Sequence, residues 1–129
     1  MLRFISTRAT TELGLPFSDA VRAGDILYLS GQLGNHPGTM TLAVGGIAGE
    51  TRQMMTNIAR VLEQNGQSFD DVFRCFVMLA DMGDWRAFND VYVPYFKPGR
   101  LPARSAFGAN GLALGARVEM EVWAWTGEK

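Results

Sequence analysis

The chain has 129 residues, 47% of them hydrophobic and 19% charged, with 12 basic against 13 acidic side chains and a formal net charge of −1. That is the size and composition of one globular domain with its own core, so residues 1–129 are read as a single domain. The balance offers no basic field to a nucleic-acid backbone, the single cysteine excludes an intrachain disulfide framework, and no apolar run reaches the roughly 18 residues of a membrane span. The N-terminus lacks the apolar core of a secretory leader, so the expected address is the cytoplasm, with neither nucleic acid nor membrane as partner.

The N-terminal third reads as β-rich. Asp25 to Ser30 is a short apolar run closed by Gly31, the pattern of a buried strand. Gly34-Asn35-His36-Pro37-Gly38 carries turn chemistry, and its lone histidine has no second ligand at metal-binding spacing. From about Gly49 to Asn65 the period changes: Met54, Ile58, Val61 and Leu62 form one stripe of an amphipathic helix, and Gly66 supplies its stop. Val72 to Leu79 is apolar apart from Arg74 and suits a central strand, with Cys75 as a small buried hydrophobe.

Asp81-Met82-Gly83-Asp84 reads as the capped start of a second helix whose aromatic face is Trp85, Phe88, Tyr92, Tyr95 and Phe96. Pro94 predicts a kink or an early end near Val93. Two strands follow, near Arg104–Ala109 and Ala116–Thr126. In the last, Val118, Met120, Val122 and Ala124 take one face while Glu119, Glu121, Trp123 and Trp125 take the other. Two tryptophans beside two glutamates are unusual on a solvated face, and suggest a surface covered by another chain with polar groups in a cleft there. The order predicts an α+β (mixed α/β) layer with helices on one side of a sheet. In the C-terminal third Arg104 and Glu119 offer a fixed cation and a carboxylate, each inside a short β-like segment, where a planar guanidinium can grip a substrate carboxylate bidentately.

These features in this order resemble the RidA (YjgF-like) family of reactive-intermediate deaminases, from about Gly14 to Trp125. The resemblance is carried by Leu29-Ser30-Gly31-Gln32, Asn57-Ile58, Gly66-Gln67-Ser68, Asp70-Asp71-Val72, Phe88-Asn89-Asp90-Val91-Tyr92, Tyr95-Phe96, Pro102-Ala103-Arg104-Ser105 and Val118-Glu119-Met120-Glu121. It implies a chorismate-mutase-like fold, a mixed six-stranded sheet with two helices packed on one face, and a homotrimer with clefts between subunits. It further implies hydrolysis of 2-aminoacrylate-like enamines and imines to 2-oxo acids and ammonia, with no metal or organic cofactor. By resemblance Arg104 binds the substrate carboxylate and Glu119 positions the water and shuttles its proton. Gly31 and Ala106 would line the pocket, with Ser30 and Asn89 supporting it.

The chain departs from the family pattern at Pro16-Phe17-Ser18-Asp19-Ala20, where many members have a tyrosine and an amide. Phe17 would line the pocket without a hydroxyl donor, leaving room for a larger or less polar substrate. Ala106 stands where many relatives carry a cysteine, so no thiol is expected in the site. Two alternatives stay open: a deaminase for a specific catabolic enamine of the 2-aminomuconate type, and a non-catalytic small-acid-binding or regulatory trimer. A ribonuclease role, attributed to some relatives, is disfavoured by the acidic balance and single histidine.

Overall fold

The computed structural model describes residues 1–128. In chain order the elements are β1 (Leu2–Ile5), α1 (Arg8–Glu12), β2 (Ala20–Ala23), β3 (Ile26–Leu29), β4 (Gln32–Leu33), α2 (Gly46–Gln64), β5 (Val72–Leu79), α3 (Trp85–Tyr92), β6 (Ala103–Gly108) and β7 (Val118–Trp125). They build one sheet in the order β1-β2-β3-β7-β5-β6. Every pairing is antiparallel except β5 with β6, which are parallel and joined through α3. The expected six strands are therefore seven. The extra one, two-residue β4, pairs with Glu119 and Met120 of β7 while β3 pairs with Trp123 to Trp125. A strand that short carries no periodicity to read.

Helices α2 and α3 pack on one face of the sheet. Val118, Met120, Val122 and Ala124 of β7 and Cys75, Val77 and Leu79 of β5 meet the predicted stripe of α2, all buried in one cluster with Phe88, Tyr92 and Phe96. The alternation that placed the even-numbered β7 residues in the core is the one observed. Helix α2 begins three residues before its apolar pattern, at Gly46, behind two glycines with positive φ (107° at Gly45, 64° at Gly46). The added turn is held by Glu50, a buried carboxylate whose Oε1 accepts the Arg117 backbone N–H at 2.8 Å.

Two helices were expected; the structure has a third, α1, of five residues. Buried Asp19 secures it, accepting hydrogen bonds from the Thr7 backbone N–H and, at 2.7 Å, from the Thr10 hydroxyl. This is the physical reason an acid stands at that position. As Pro94 predicts, α3 stops at Tyr92 and a 3₁₀ turn over Val93–Tyr95 follows.

The second face of the sheet carries an aromatic row beside charged residues. Register places Phe4, Val21, Tyr28 and Trp123 in one row across β1, β2, β3 and β7. The Trp123 ring lies 5.1 Å from Tyr28 and 5.3 Å from Phe76. This face stays open at its margins, with Phe4 71%, Phe107 48% and Trp125 39% exposed.

Candidate active site

Glu119 lies on the open face, in the part of β7 paired to β4. Its carboxylate rests against Gly31, where an added Cβ would lie 3.0 Å from Glu119 Cδ and collide with an oxygen. Only glycine leaves that room, which gives Gly31 a steric role. Among the described residues Glu119 makes no hydrogen bond or ion pair, so both oxygens remain available. Burial, and secondarily the charge of Glu121 two residues along the same face, raise its proton affinity above that of an ordinary carboxylate.

Glu119, Gly31 and Phe17 line a cleft of about 410 Å³ that runs past Leu13, Leu15 and Leu114 toward α2. Ser30 does not line it. The Ser30 hydroxyl donates to Ser18 O at 2.6 Å and its N–H to Asp19 O at 2.9 Å, fixing the segment that carries Phe17. Arg60, Gln32 and Gln64 line the cleft as well, while two further polar groups of its wall are engaged internally. Asp19 holds α1, and the Asn57 amide donates to Leu33 O (3.0 Å) and Asn35 O (2.8 Å) while its oxygen accepts from Gln53.

Arg104 is on β6, in register with buried Cys75, and so points to the helix-covered face. Its guanidinium carbon sits 4.9 Å from the Tyr92 ring centroid, 5.7 Å from Phe88 and 5.8 Å from Trp85. Three rings one helical turn apart thus form a box around the cation, each contact contributing about 0.5–2 kcal/mol. Among the described residues the group makes no ion pair, so no internal carboxylate there occupies its donors. The sequence shows that aromatic stripe, yet only the fold reveals that it grips Arg104. Ala106 follows on the same face, in register with Val77, and Asn89 lies on α3 with its side-chain oxygen buried and without a hydrogen-bond partner. Cys75 fits its expected inert role: burial outweighs the nearby Tyr92 hydroxyl and Arg104 charge and pushes its thiol up to about 11.

The predicted site residues therefore fall into two groups. Phe17, Gly31 and Glu119 share the cleft, with Ser30 bracing it; Arg104, Ala106 and Asn89 gather at α3. The resemblance puts Arg104 and Glu119 in one pocket completed by a neighbouring copy, and within one chain the structure sets the two apart. Glu119 pairs with Met78 and Arg104 with Cys75 on the intervening β5, and residues three apart on a strand point to opposite faces. The two side chains leave opposite faces of the sheet, from strands about 10 Å apart.

Sequence reading missed the far wall of the cleft, above all Leu114. It is the one described non-glycine residue with positive φ (62°), set between Gly111 (100°) and Gly115 (70°). A glycine-bracketed leucine in an irregular stretch was the available signal.

This architecture, a mixed sheet backed by the long helix α2 and the shorter α3, with a carboxylate in an open cleft, defines a small α+β domain. Residues 9–126 match the family described as Endoribonuclease L-PSP. The 2-iminobutanoate/2-iminopropanoate deaminase of Capra hircus is 42% identical over 97% of this chain and 90% of its own length. The Homo sapiens protein of the same name is 38% identical over the same shares. Among solved structures, the Rid-family protein YyfA of Yersinia pestis superposes with a TM-score of 0.88 at 34% identity, covering 97% of this chain and 99% of that one. The yeast protein YEO7 gives 0.89 at 32%, covering 98% and 100%. The chain belongs to the YjgF/RidA family.

Proposed function

We propose that the protein hydrolyses 2-imino acids and their enamine tautomers to 2-oxo acids and ammonia, at a site where Arg104 of one copy faces Glu119 of another in a homotrimer. The observation that carries the reading is the unpartnered Glu119 against Gly31, its proton affinity raised by burial, in a chain about 40% identical to proteins named as imine deaminases. Arg104 and Glu119 point to opposite faces, so one small substrate touches both only if a second copy brings its α3–β6 edge to the open face. The aromatic row Tyr28, Phe76 and Trp123 on that face supports such packing, since a large apolar surface is stabilised by coverage.

In this arrangement the Arg104 fork binds the substrate carboxylate and the buried Asn89 oxygen accepts a hydrogen bond from the substrate nitrogen. Glu119 accepts a proton from water as the oxygen attacks the carbon of the N-protonated imine, giving a neutral carbinolamine. It returns that proton to the nitrogen, then takes the proton of the carbinolamine hydroxyl as the C–N bond breaks, so ammonia leaves and the carbonyl forms. An enamine enters the same route after protonation at carbon. A carboxyl group whose proton affinity is raised by burial is a stronger base toward water than a free carboxylate and can still return the proton to nitrogen. The other description attached to this family, endoribonuclease, finds less support: the net charge is −1 and the single histidine, His36, lies exposed in a loop.

The test is a coupled assay in which a pyridoxal-phosphate dehydratase releases 2-aminoacrylate. Wild type is expected to accelerate keto-acid formation, and Arg104→Ala and Glu119→Gln each to abolish the acceleration. Keto-acid release at the rate of the enzyme-free blank, for wild type and across several enamines, overturns the reading.

A further inference from the structure

Resting on that reading of the site, we infer that the cleft beyond Glu119 is a chamber for the substrate's side chain, and that the preferred substrates are 2-imino acids with bulky apolar side chains. Three observations converge. The cleft, at about 410 Å³, falls within the roughly 300–1,000 Å³ range of pockets that enclose much larger ligands than the short imino acids for which the relatives are named. The larger share of its exposed wall is apolar. Leu13, Leu15, Phe17, Leu33, Met40 and Leu114 supply that surface, and Asp19 and Asn57 have spent their polar atoms on the fold. Gln32, Arg60 and Gln64 add polar groups to the wall, but an apolar side chain entering there meets mainly hydrocarbon.

The third observation is Leu114. A leucine at φ 62° sits in the left-handed region, which costs of order 1 kcal/mol or more against an extended conformation. Its side chain is 41% exposed, so core packing does not repay that cost. Phe17 and Met40 across the cleft are likewise 49% and 56% exposed. Three large apolar groups, one of them strained, are thus held open around one cavity that Glu119 also lines. A substrate whose imine carbon sits at Glu119 directs its side chain among them, and burial of that side chain covers surface the protomer leaves wet. Phe17 supports the same polarity, since it presents a ring without a hydroxyl at the cleft.

The experiment generates imines in situ with an amino-acid oxidase from alanine, 2-aminobutyrate, leucine, methionine and phenylalanine, and follows 2-oxo-acid release against trapping by semicarbazide. Each methylene buried in an apolar pocket is worth about 10-fold or more in discrimination. The kcat/KM for the leucine- and phenylalanine-derived imines is therefore expected to exceed that for the alanine-derived imine by at least about 10-fold. Filling the chamber with Leu114→Trp, or with Met40→Trp on the exposed loop, is expected to cut that ratio by about 10-fold. A ratio near one in wild type, or a ratio unmoved by either folded variant, overturns the chamber while leaving the deaminase reading intact. Acceleration of none of the imines removes both.

Discussion

If Arg104 and Glu119 act on one substrate from two copies, chains lacking one or the other must complement each other. Arg104→Ala removes a pair of charge-assisted hydrogen bonds worth about 1.5–3 kcal/mol each, so homomeric Arg104→Ala is expected to lose roughly 10²-fold or more in kcat/KM. Glu119→Gln removes the proton-transfer group, a loss of about 10²–10⁴. The two variants are then co-expressed in equal amounts. In a ring with head-to-tail interfaces every site takes its arginine from one chain and its glutamate from the neighbour, each intact with a chance of about one half. Roughly a quarter of the sites are then complete, and the mixed assembly should show about a quarter of wild-type activity, far above either parent. The register supports this expectation, because β5 separates the two residues and directs them to opposite faces within one chain. Mixed assemblies no more active than the average of the two parents would refute the two-copy site.

Gly31→Ala places a methyl group against the Glu119 carboxylate, so activity should fall about 10- to 100-fold while the thermal midpoint moves little, as the site is half-open. The acid limb of the kcat/KM profile should lie above the range of a free carboxylate, because burial and then Glu121 favour the protonated form of Glu119. Glu121→Gln removes a like charge and should move that limb to lower pH; an unmoved limb would separate it from Glu119. For stability the sign is opposite to that of a salt-bridged acid. A folded-state value above the unfolded one means the native chain binds more protons, so this group's contribution falls as pH rises between the two values. Glu119→Gln should consequently be neutral or slightly stabilising at neutral pH in thermal melts. Asp19→Ala strips the Thr7 N–H and the Thr10 hydroxyl of their acceptor and should cost about 1–3 kcal/mol by urea unfolding, with Asp19→Asn recovering part of it. Trp123→Glu puts a charge at the centre of the aromatic row, and light scattering should find monomers without activity.

The local signals proved sufficient for the elements with a strong period. The stripe at Met54, Ile58, Val61 and Leu62 and the alternation from Val118 to Ala124 are read directly, because burial on one face imposes 3.6- and 2-residue repeats on the chain itself. Pro94 marks the end of α3 for an equally local reason, its missing N–H. What escaped was held by partners distant in sequence. Helix α1 depends on Asp19, the first turn of α2 on Arg117, and β4 on a few bonds to β7. The choice of Arg104 and Glu119 as the chemistry-bearing pair came from residue type, strand context and family resemblance. Which way each of them points came from the sheet. Strand order 7-5-6 inserts β5 between them and register sets their faces, and both follow from pairing energies summed over the whole sheet that no single segment contains. The cleft beside Glu119 has the same origin: Leu13, Phe17, Met40 and Leu114 are up to a hundred residues apart, and only packing makes them neighbours.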